Sequence, residues 1–463
     1  MSMHSEPDIV VIGAGPAGMA AATLASSGGA RVALLDEQDG PGGQIWRSIT
    51  AAPEARLQTL GPDYAAGLRV ARDFAASGAE HIGRATVWQV TREGVVNYLH
   101  AGVSCSLRAK RVILCSGAME RPFPIPGWTL PGVMTAGAAQ ILLKSADTVP
   151  TQPAVLAGCG PLLYLLAWQY VRAGVSIAAI IDTTDASDYR RAMPHLPRAV
   201  MAWPYLQKGL ALLRVLRRKG VPFFKGATQL SIEGHDAAQA IRFTSGGKSH
   251  RLQTELILLH QGVVPNTQFT WALRAPHSWD TAQLCWRPDV DELGRLQDVD
   301  QVLVAGDGRG IGGASAASIQ GRLAALAALQ DLALISTDKA RPQIDAARSE
   351  LQRHLRIRPF LDALYRPKDA NRIPADDVLV CRCEEVTAGS IRDFVKLGCS
   401  GPNQTKSFGR CGMGPCQGRL CGLTVTELIA DARKALPEDV GYYRIRPPIK
   451  PITLAELSST RDN

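Results

Sequence analysis

The chain has 463 residues, 46% of them hydrophobic and 20% charged, the composition of a soluble globular protein long enough for about three domains. The formal charge of +9 is modest for that length and no lysine- or arginine-rich run occurs, so a nucleic-acid role has no support. The N-terminus, Met1–Asp8, lacks the charged and apolar regions of a signal peptide, and the longest apolar stretch, 162–171, is interrupted by Gln169 and too short to cross a bilayer. A cytoplasmic chain is expected, and ten cysteines in a reducing compartment argue against a disulfide scaffold.

The first strand, Ile9–Ile12, is a continuous apolar run, as a buried parallel strand should be. It opens into Gly13-Ala-Gly15-Pro16-Ala17-Gly18 and a helix of small residues. Gly13 permits the tight turn, Gly15 lets backbone approach a pyrophosphate, and Gly18 lets the helix lie close on the strand. A second strand, Arg31–Leu35, ends in Asp36-Glu37, where a carboxylate should take ribose hydroxyls. The loop Gly40-Pro-Gly-Gly43-Gln44 can pass close to a planar ligand, and Gly43 and Gln44 resemble the loop that runs along the flavin in flavoproteins with two dinucleotide domains.

Farther on, Ala85–Val90 reads as a strand in which Val87 is placed to meet an adenine through its backbone. Arg111–Ser116 is another buried strand, and its end at Gly117 resembles the turn closing the FAD half-domain of the glutathione-reductase-like group. A second nucleotide-binding unit begins at Ala154-Val-Leu-Ala-Gly158-Cys-Gly160 and repeats the strand–helix–strand spacing as far as Asp182. Leu163 replaces its third glycine, which would crowd a pyrophosphate, so NAD(P) is not expected there. The stretch 190–219 reads as helical and basic. His260 ends a strand near the expected flavin, where it is either a tuning group or a structural histidine. A strand ending in Gly306-Asp307, followed by glycines and a small-residue helix, reads as the second half of an FAD site, with the Asp307 carboxylate accepting a ribityl hydroxyl.

Cys381-Arg-Cys383 is followed, after 27 intervening residues, by Cys411-Gly-Met-Gly-Pro-Cys416. Four thiolates at Cys381, Cys383, Cys411 and Cys416 suit a [2Fe–2S] cluster or zinc, with free thiols as the third reading. Cys399 and Cys421 lie close enough in sequence to replace one of them. The tail Arg444-Ile-Arg-Pro-Pro-Ile-Lys450 reads as an extended arm, clamping a partner or packing on its own chain.

These pieces together resemble the FAD-containing alpha subunit of heteromeric amine and opine dehydrogenases, a family that includes opine oxidase, hydroxyproline dehydrogenase and hydrogen cyanide synthase flavoprotein subunits. The most specific stretches are Pro41–Arg47, Ala118–Val133, Gly306–Gly313 and Tyr443–Thr453. The cysteine region resembles bacterioferritin-associated ferredoxin, although the second pair is C-x4-C rather than C-x2-C. The resemblance implies substrate oxidation on a beta subunit related to D-amino-acid and sarcosine oxidases. It leaves room for an FMN between the subunits, a small gamma subunit, and peripheral contact with an electron acceptor. No C-x-x-C lies beside the expected flavin, as a disulfide reductase would need.

The expected fold class is α/β, a glutathione-reductase-like flavoprotein with two dinucleotide-binding domains plus a small helical C-terminal iron–sulfur domain. Residues 1–150 and 255–335 would form the FAD domain and 151–254 the second nucleotide-binding unit. A helical connector would follow at 336–374, then the [2Fe–2S] domain at 375–436 and an extended tail at 437–463. A free-standing NAD(P)H-dependent flavin reductase and a non-catalytic scaffold are the competing classes.

Overall fold

The computed structural model describes residues 6–459, so the start of the polar N-terminal stretch, Met1–Ser5, and the end of the tail, 460–463, lie outside the described residues. Two parallel five-stranded sheets organise the chain. The first begins with β1 (Ile9–Ile12), α1 (Pro16–Ser27), β2 (Val32–Leu35), β3 (Glu80–Ile82) and β4 (Arg111–Leu114). The second is built from β5 (Val133–Thr135), β6 (Ala154–Cys159), α2 (Pro161–Arg172), β7 (Ile177–Asp182), β8 (Phe223–Lys225) and β9 (Ile257–Gln261). The chain then returns through β10 (Val302–Val304) to complete the first sheet in the order β10-β4-β1-β2-β3, while the second runs β8-β7-β6-β9-β5. Every neighbouring pair is parallel, and β1 lies between β2 and β4 with Ile9 opposite Val32 and Arg111.

Both sheets are covered on both faces, so β1, β2 and β6 are buried at every position. Three antiparallel strands, Thr86–Val90, Val95–His100 and Val103–Arg108, form a separate sheet beside the first. The long helix α3 (Ala314–Asp331) crosses α1 at very short range. Gly321 makes that crossing possible, because a Cβ there would stand 2.0 Å from the Ala17 carbonyl oxygen.

The helices that follow are not a bare linker. In α4 (Thr337–Leu355) Ala340, Ile344, Ala347 and Leu351 are buried against α3 at helical spacing. Helix α5 (Arg358–Leu364) then packs on the helix Ala186–Ala192 of the second nucleotide unit. The C-terminal unit carries α6 (Ala388–Lys396), whose N-cap Thr387 accepts from the Ser390 amide, and α7 (Gly422–Arg433), buried along most of its length. Arg372 and Glu427, both buried, form an ion pair that ties the incoming chain to α7.

Candidate functional site

The first site is the glycine turn after β1. Gly13 has φ +103°, and a Cβ there would meet the Cys115 carbonyl oxygen at 2.4 Å. A Cβ on Gly18 would stand 1.8 Å from the Gly13 carbonyl oxygen. With Pro16 in the first turn and Ala17 buried, the helix therefore sits directly over the turn, its free N–H groups facing outward. The second glycine loop folds onto this turn: Gly42 N–H donates to the Ala14 carbonyl at 2.8 Å, and a Cβ on Gly43 would be 2.7 Å from Gly15 Cα. Gln44 is exposed beside it, and its carbonyl accepts from the buried Lys144 ammonium at 3.0 Å. Burial and the neighbouring Arg47 push the Lys144 ammonium down to about 7.

The two acids at the end of β2 take different positions. Asp36 accepts from the Ala14 amide at 2.6 Å through one oxygen and from the Gln38 amide at 2.8 Å through the other, so it also braces the turn. Glu37 forms a 2.6 Å ion pair with Lys450 from the tail. The Val87 side chain is buried in the core, and its backbone lies in the strand opposite Tyr98.

The other half of the cradle comes from much later in the chain. Gly117 has φ +66°, nothing stands where its Cβ would be, and its carbonyl accepts from Asn266 N–H at 2.9 Å. A Cβ on Gly306 would be 2.8 Å from the Ala17 Cβ, so the two fingerprints meet at that residue. Asp307 Oδ1 accepts from the amides of Gly312 and Gly313, at 2.8 and 3.0 Å, at the start of α3. The structure thus gathers Gly13, Gly15, Pro16, Ala17, Gly18, Gly43, Gly306 and Asp307 around one crevice at the carboxyl ends of the first sheet. That is where an open parallel sheet takes a dinucleotide.

The equivalent crevice of the second sheet is filled by its own chain. Gly158 and Gly160 keep the turn conformation, at φ +130° and +110°. Leu163, in place of a glycine in the first turn of α2, is fully buried. The next residue, Tyr164, donates to Asp182 Oδ2 at 2.6 Å, and burial raises both groups above their usual ranges. Tyr365 lies 6.2 Å from the Tyr164 ring and accepts from the Cys159 thiol through its carbonyl. Lys368 bridges Asp185 and Asp188 at 2.8 and 2.5 Å. Segment 365–371 therefore lies over the place a second nucleotide would enter. His260 is buried at the end of β9 and bonded to Glu120 at 2.7 Å, and Glu120 also accepts from Gly137 N–H. This is the structural role for that histidine.

The second site is a nest of thiols. The sulfurs of Cys381, Cys411 and Cys421, all buried, lie within 4.8 Å of one another. The Cys411 and Cys421 thiols and two backbone amides push the Cys381 thiol down to about 2, while Cys411 is pushed up to about 12. Three sulfurs so arranged share one negative charge more readily than three, which a cation would reverse. Cys383 and Cys416 form an adjacent hydrogen-bonded pair, and a Cβ on Gly414 would stand 3.2 Å from the Cys383 sulfur. Cys399 is outside the nest, donating to the Gly401 carbonyl. Of the four thiols expected to act together, the structure places Cys381 and Cys411 in the tight group and Cys383 and Cys416 beside it. Cys421, at the start of α7, is the added member. Its signal was the repeated five-residue step Cys411, Cys416, Cys421.

The tail joins the two sites. Tyr443 is fully buried, donates to Cys411 Sγ at 3.3 Å, and its ring fills space that side chains on Gly412 and Gly418 would need. Gln417 donates to the Pro448 carbonyl at 2.6 Å, Ile449 N–H to the Trp88 carbonyl at 3.0 Å, and Lys450 reaches Glu37. Along this course the tail packs on its own chain. No helix among the described residues is long and apolar enough to cross a membrane.

Residues 7–321 match the family described as pyridine nucleotide-disulphide oxidoreductase, and residues 377–461 match the sarcosine oxidase A3 domain. The opine oxidase A subunit of Agrobacterium tumefaciens (strain Ach5) is 47% identical over 461 residues, covering 97% of this chain and 91% of that protein. The HcnB subunit of hydrogen cyanide synthase from Pseudomonas protegens is 30% identical over 461 residues, covering 96% of each chain. The L-proline dehydrogenase of P. horikoshii superposes with a TM-score of 0.70 over 97% of this chain and 79% of its own. At 18% identity that match speaks to the fold alone.

Proposed function

We propose, from the premise that the chain belongs to the pyridine nucleotide-disulphide oxidoreductases and to the family of opine oxidase A subunits, that it is the electron-transferring flavoprotein subunit of a heteromeric dehydrogenase oxidising a secondary amine of the opine, proline or hydroxyproline type. It is an oxidoreductase subunit, and the observation that carries the finer reading is the presence of two carriers' sites in one chain. A cradle for a dinucleotide stands on the first sheet, and a buried set of thiols fit for a metal centre stands on the C-terminal unit.

In this reading Gly13, Gly15, Pro16, Ala17 and Gly18 hold the FAD pyrophosphate by backbone, and Asp36 and Glu37 stand at the ribose. Gly43 and Gln44 line the flavin, Val87 meets the adenine, and Gly117, Gly306 and Asp307 take the ribityl end. Gly13, Gly18 and Gly43 leave no room for a side chain, while the space open at Gly15 lets a ligand approach the backbone, which supports a phosphate-bearing ligand. Cys381, Cys383 and Cys416, with one of Cys411 and Cys421, hold a [2Fe–2S] cluster. The all-sulfur donor set favours iron–sulfur or zinc over harder cations. When bound, FAD supplies a two-electron acceptor and the cluster a one-electron carrier. The chain's own part is to fix both, and Tyr443 keeps a proton directed at Cys411 Sγ and excludes water from that side. The division into an FAD domain, a second nucleotide unit, a connector, a [2Fe–2S] domain and a tail belongs to the same proposal, as do work in the cytoplasm, an interfacial FMN and a small third subunit.

Substrate oxidation falls to a partner chain related to amino-acid and sarcosine oxidases. The test is affinity purification of the tagged chain from its native cells, with visible spectra and metal analysis of what is recovered. A second flavoprotein chain together with iron and flavin is the expected result. A lone chain whose flavin is reduced by NADH would overturn the proposal in favour of a free-standing reductase.

A further inference from the structure

Residues 186–219 form a helical arm on the second nucleotide unit: Ala186–Ala192, Met193–His195, Leu196–Val200 and Trp203–Arg218 in succession. Soluble helices bury an apolar stripe. The last of these, 16 residues long, buries only Leu216 completely. The arm is held through Ala199 and Ala202, packed on Ile357 of the following helices. Outward it shows Met193, Val200, Met201, Trp203 and Leu210, with Met201 65% and Trp203 53% exposed. Single exposed apolar residues need no explanation, but a run of them on one arm does.

The charges around this run are one-sided. Residues 186–219 contain eight Lys and Arg and one acid, the buried Asp188. Arg191 pairs with Asp188 and Lys208 with Asp63. Arg190, Arg198, Arg214, Arg217, Arg218 and Lys219 form no ion pair among the described residues. Trp, Tyr, Met and Arg with no exposed acid is the composition that distinguishes the centre of protein–protein interfaces from the rest of a surface. An arm of this length also matches the number of residues that one side of a standard interface uses.

Its position adds a functional reason. The Tyr205 hydroxyl lies 2.6 Å from His354 Nδ1 and within hydrogen-bonding reach of Ser315. Ser315 is the second residue of α3, two residues beyond Gly313, whose amide donates to Asp307. The last helix of the arm thus starts beside the rim of the dinucleotide crevice.

We propose that this arm is the docking face for the amine-oxidising partner chain, which meets it with an acidic rim around an apolar centre. The inference rests on the heteromeric reading above and adds to it the place of contact, against the rim of the flavin cradle. A lipid surface is the competing occupant of a basic, Trp-bearing helix. Aromatic, methionine and arginine residues at the mouth of a redox site favour a protein.

The test uses the tagged full-length chain in its native cells, comparing wild type with Met201→Glu, Trp203→Glu and, as a control on another exposed apolar residue, Leu397→Glu. The expected result is a fall of at least tenfold in the molar ratio of recovered second flavoprotein to tagged chain for the first two variants. Leu397→Glu should leave the ratio unchanged, and thermal midpoint and flavin content should stay at the wild-type level in all three. An unchanged ratio in both arm variants overturns the proposal even where the wild type recovers its partner. A wild type that recovers no second flavoprotein overturns the heteromeric reading and this one with it. Wild-type sedimentation with phosphatidylserine vesicles, lost in Trp203→Glu while the partner ratio holds, would assign the face to lipid instead.

Discussion

Tyr164 donates a 2.6 Å hydrogen bond to Asp182, so the acid that ends β7, where a nucleotide-binding unit offers its carboxylate to a ribose, is engaged by the chain itself. Tyr365 and Lys368 close the same crevice from the far side. The purified holoprotein should therefore keep its flavin oxidised under anaerobic NADH or NADPH. Calorimetry should find NAD+ binding weaker than about 1 mM, if any. Bleaching of the flavin at the rate of mixing would refute this.

Two glycines one turn apart should behave differently. Gly15 has φ −75°, and a Cβ there meets only Gly43 Cα, at 3.8 Å. Compared as apoproteins, Gly15→Ala should keep the wild-type thermal midpoint yet bind little FAD, because a methyl group there would meet the pyrophosphate rather than the chain. A Cβ on Gly18 strikes the Gly13 carbonyl, so Gly18→Ala should lose flavin and about 1–3 kcal/mol of stability together. Equal thermal midpoints for the two variants would disprove the assignment.

Three clustered thiols and an adjacent pair offer five donors where a [2Fe–2S] cluster would use four. Cys381→Ser, Cys383→Ser and Cys416→Ser should each abolish the reduced-state electron paramagnetic resonance signal of a [2Fe–2S] cluster while FAD stays bound. Of Cys411→Ser and Cys421→Ser, one should keep a cluster with an altered spectrum, and the double variant should have none. Stoichiometric zinc without iron in the wild type would replace the cluster with a structural zinc.

Lys144 is buried with two neutral acceptors, Gln44 and Gln140, and its ammonium titrates near 7 instead of near 10.5. Between those values the unfolded chain binds a proton that the folded chain does not, so stability rises with pH. The slope approaches about 1.4 kcal/mol per pH unit in the middle of the window. Below pH 7 the full cost of burying the charge remains. Denaturation from pH 6 to 10 should show this rise in the wild type and a flatter profile in Lys144→Met.

The parts of the structure legible in the sequence are those marked by absent side chains. Gly13, Gly18 and Gly306 each occupy a place where a Cβ would collide with backbone or a neighbouring methyl, and that constraint reaches the sequence directly. Runs such as Ile9–Ile12 and Ala154–Cys159 disclosed both parallel sheets because strands covered on two faces have no polar alternation to confuse the reading. What the sequence hid is long-range and polar. Lys368 and Lys450 look like solvated lysines until the fold brings Asp188 and Glu37 to them. Tyr365 and Tyr443 carry no periodicity that would announce one as a plug and the other as a thiol's neighbour.

The tail couples two places that the sequence keeps far apart. Residues 443–450 seal the thiol nest with Tyr443 and reach the acid at the end of β2 with Lys450. One segment thus latches both, so that lifting it would uncover Cys411 and free Glu37 in a single movement.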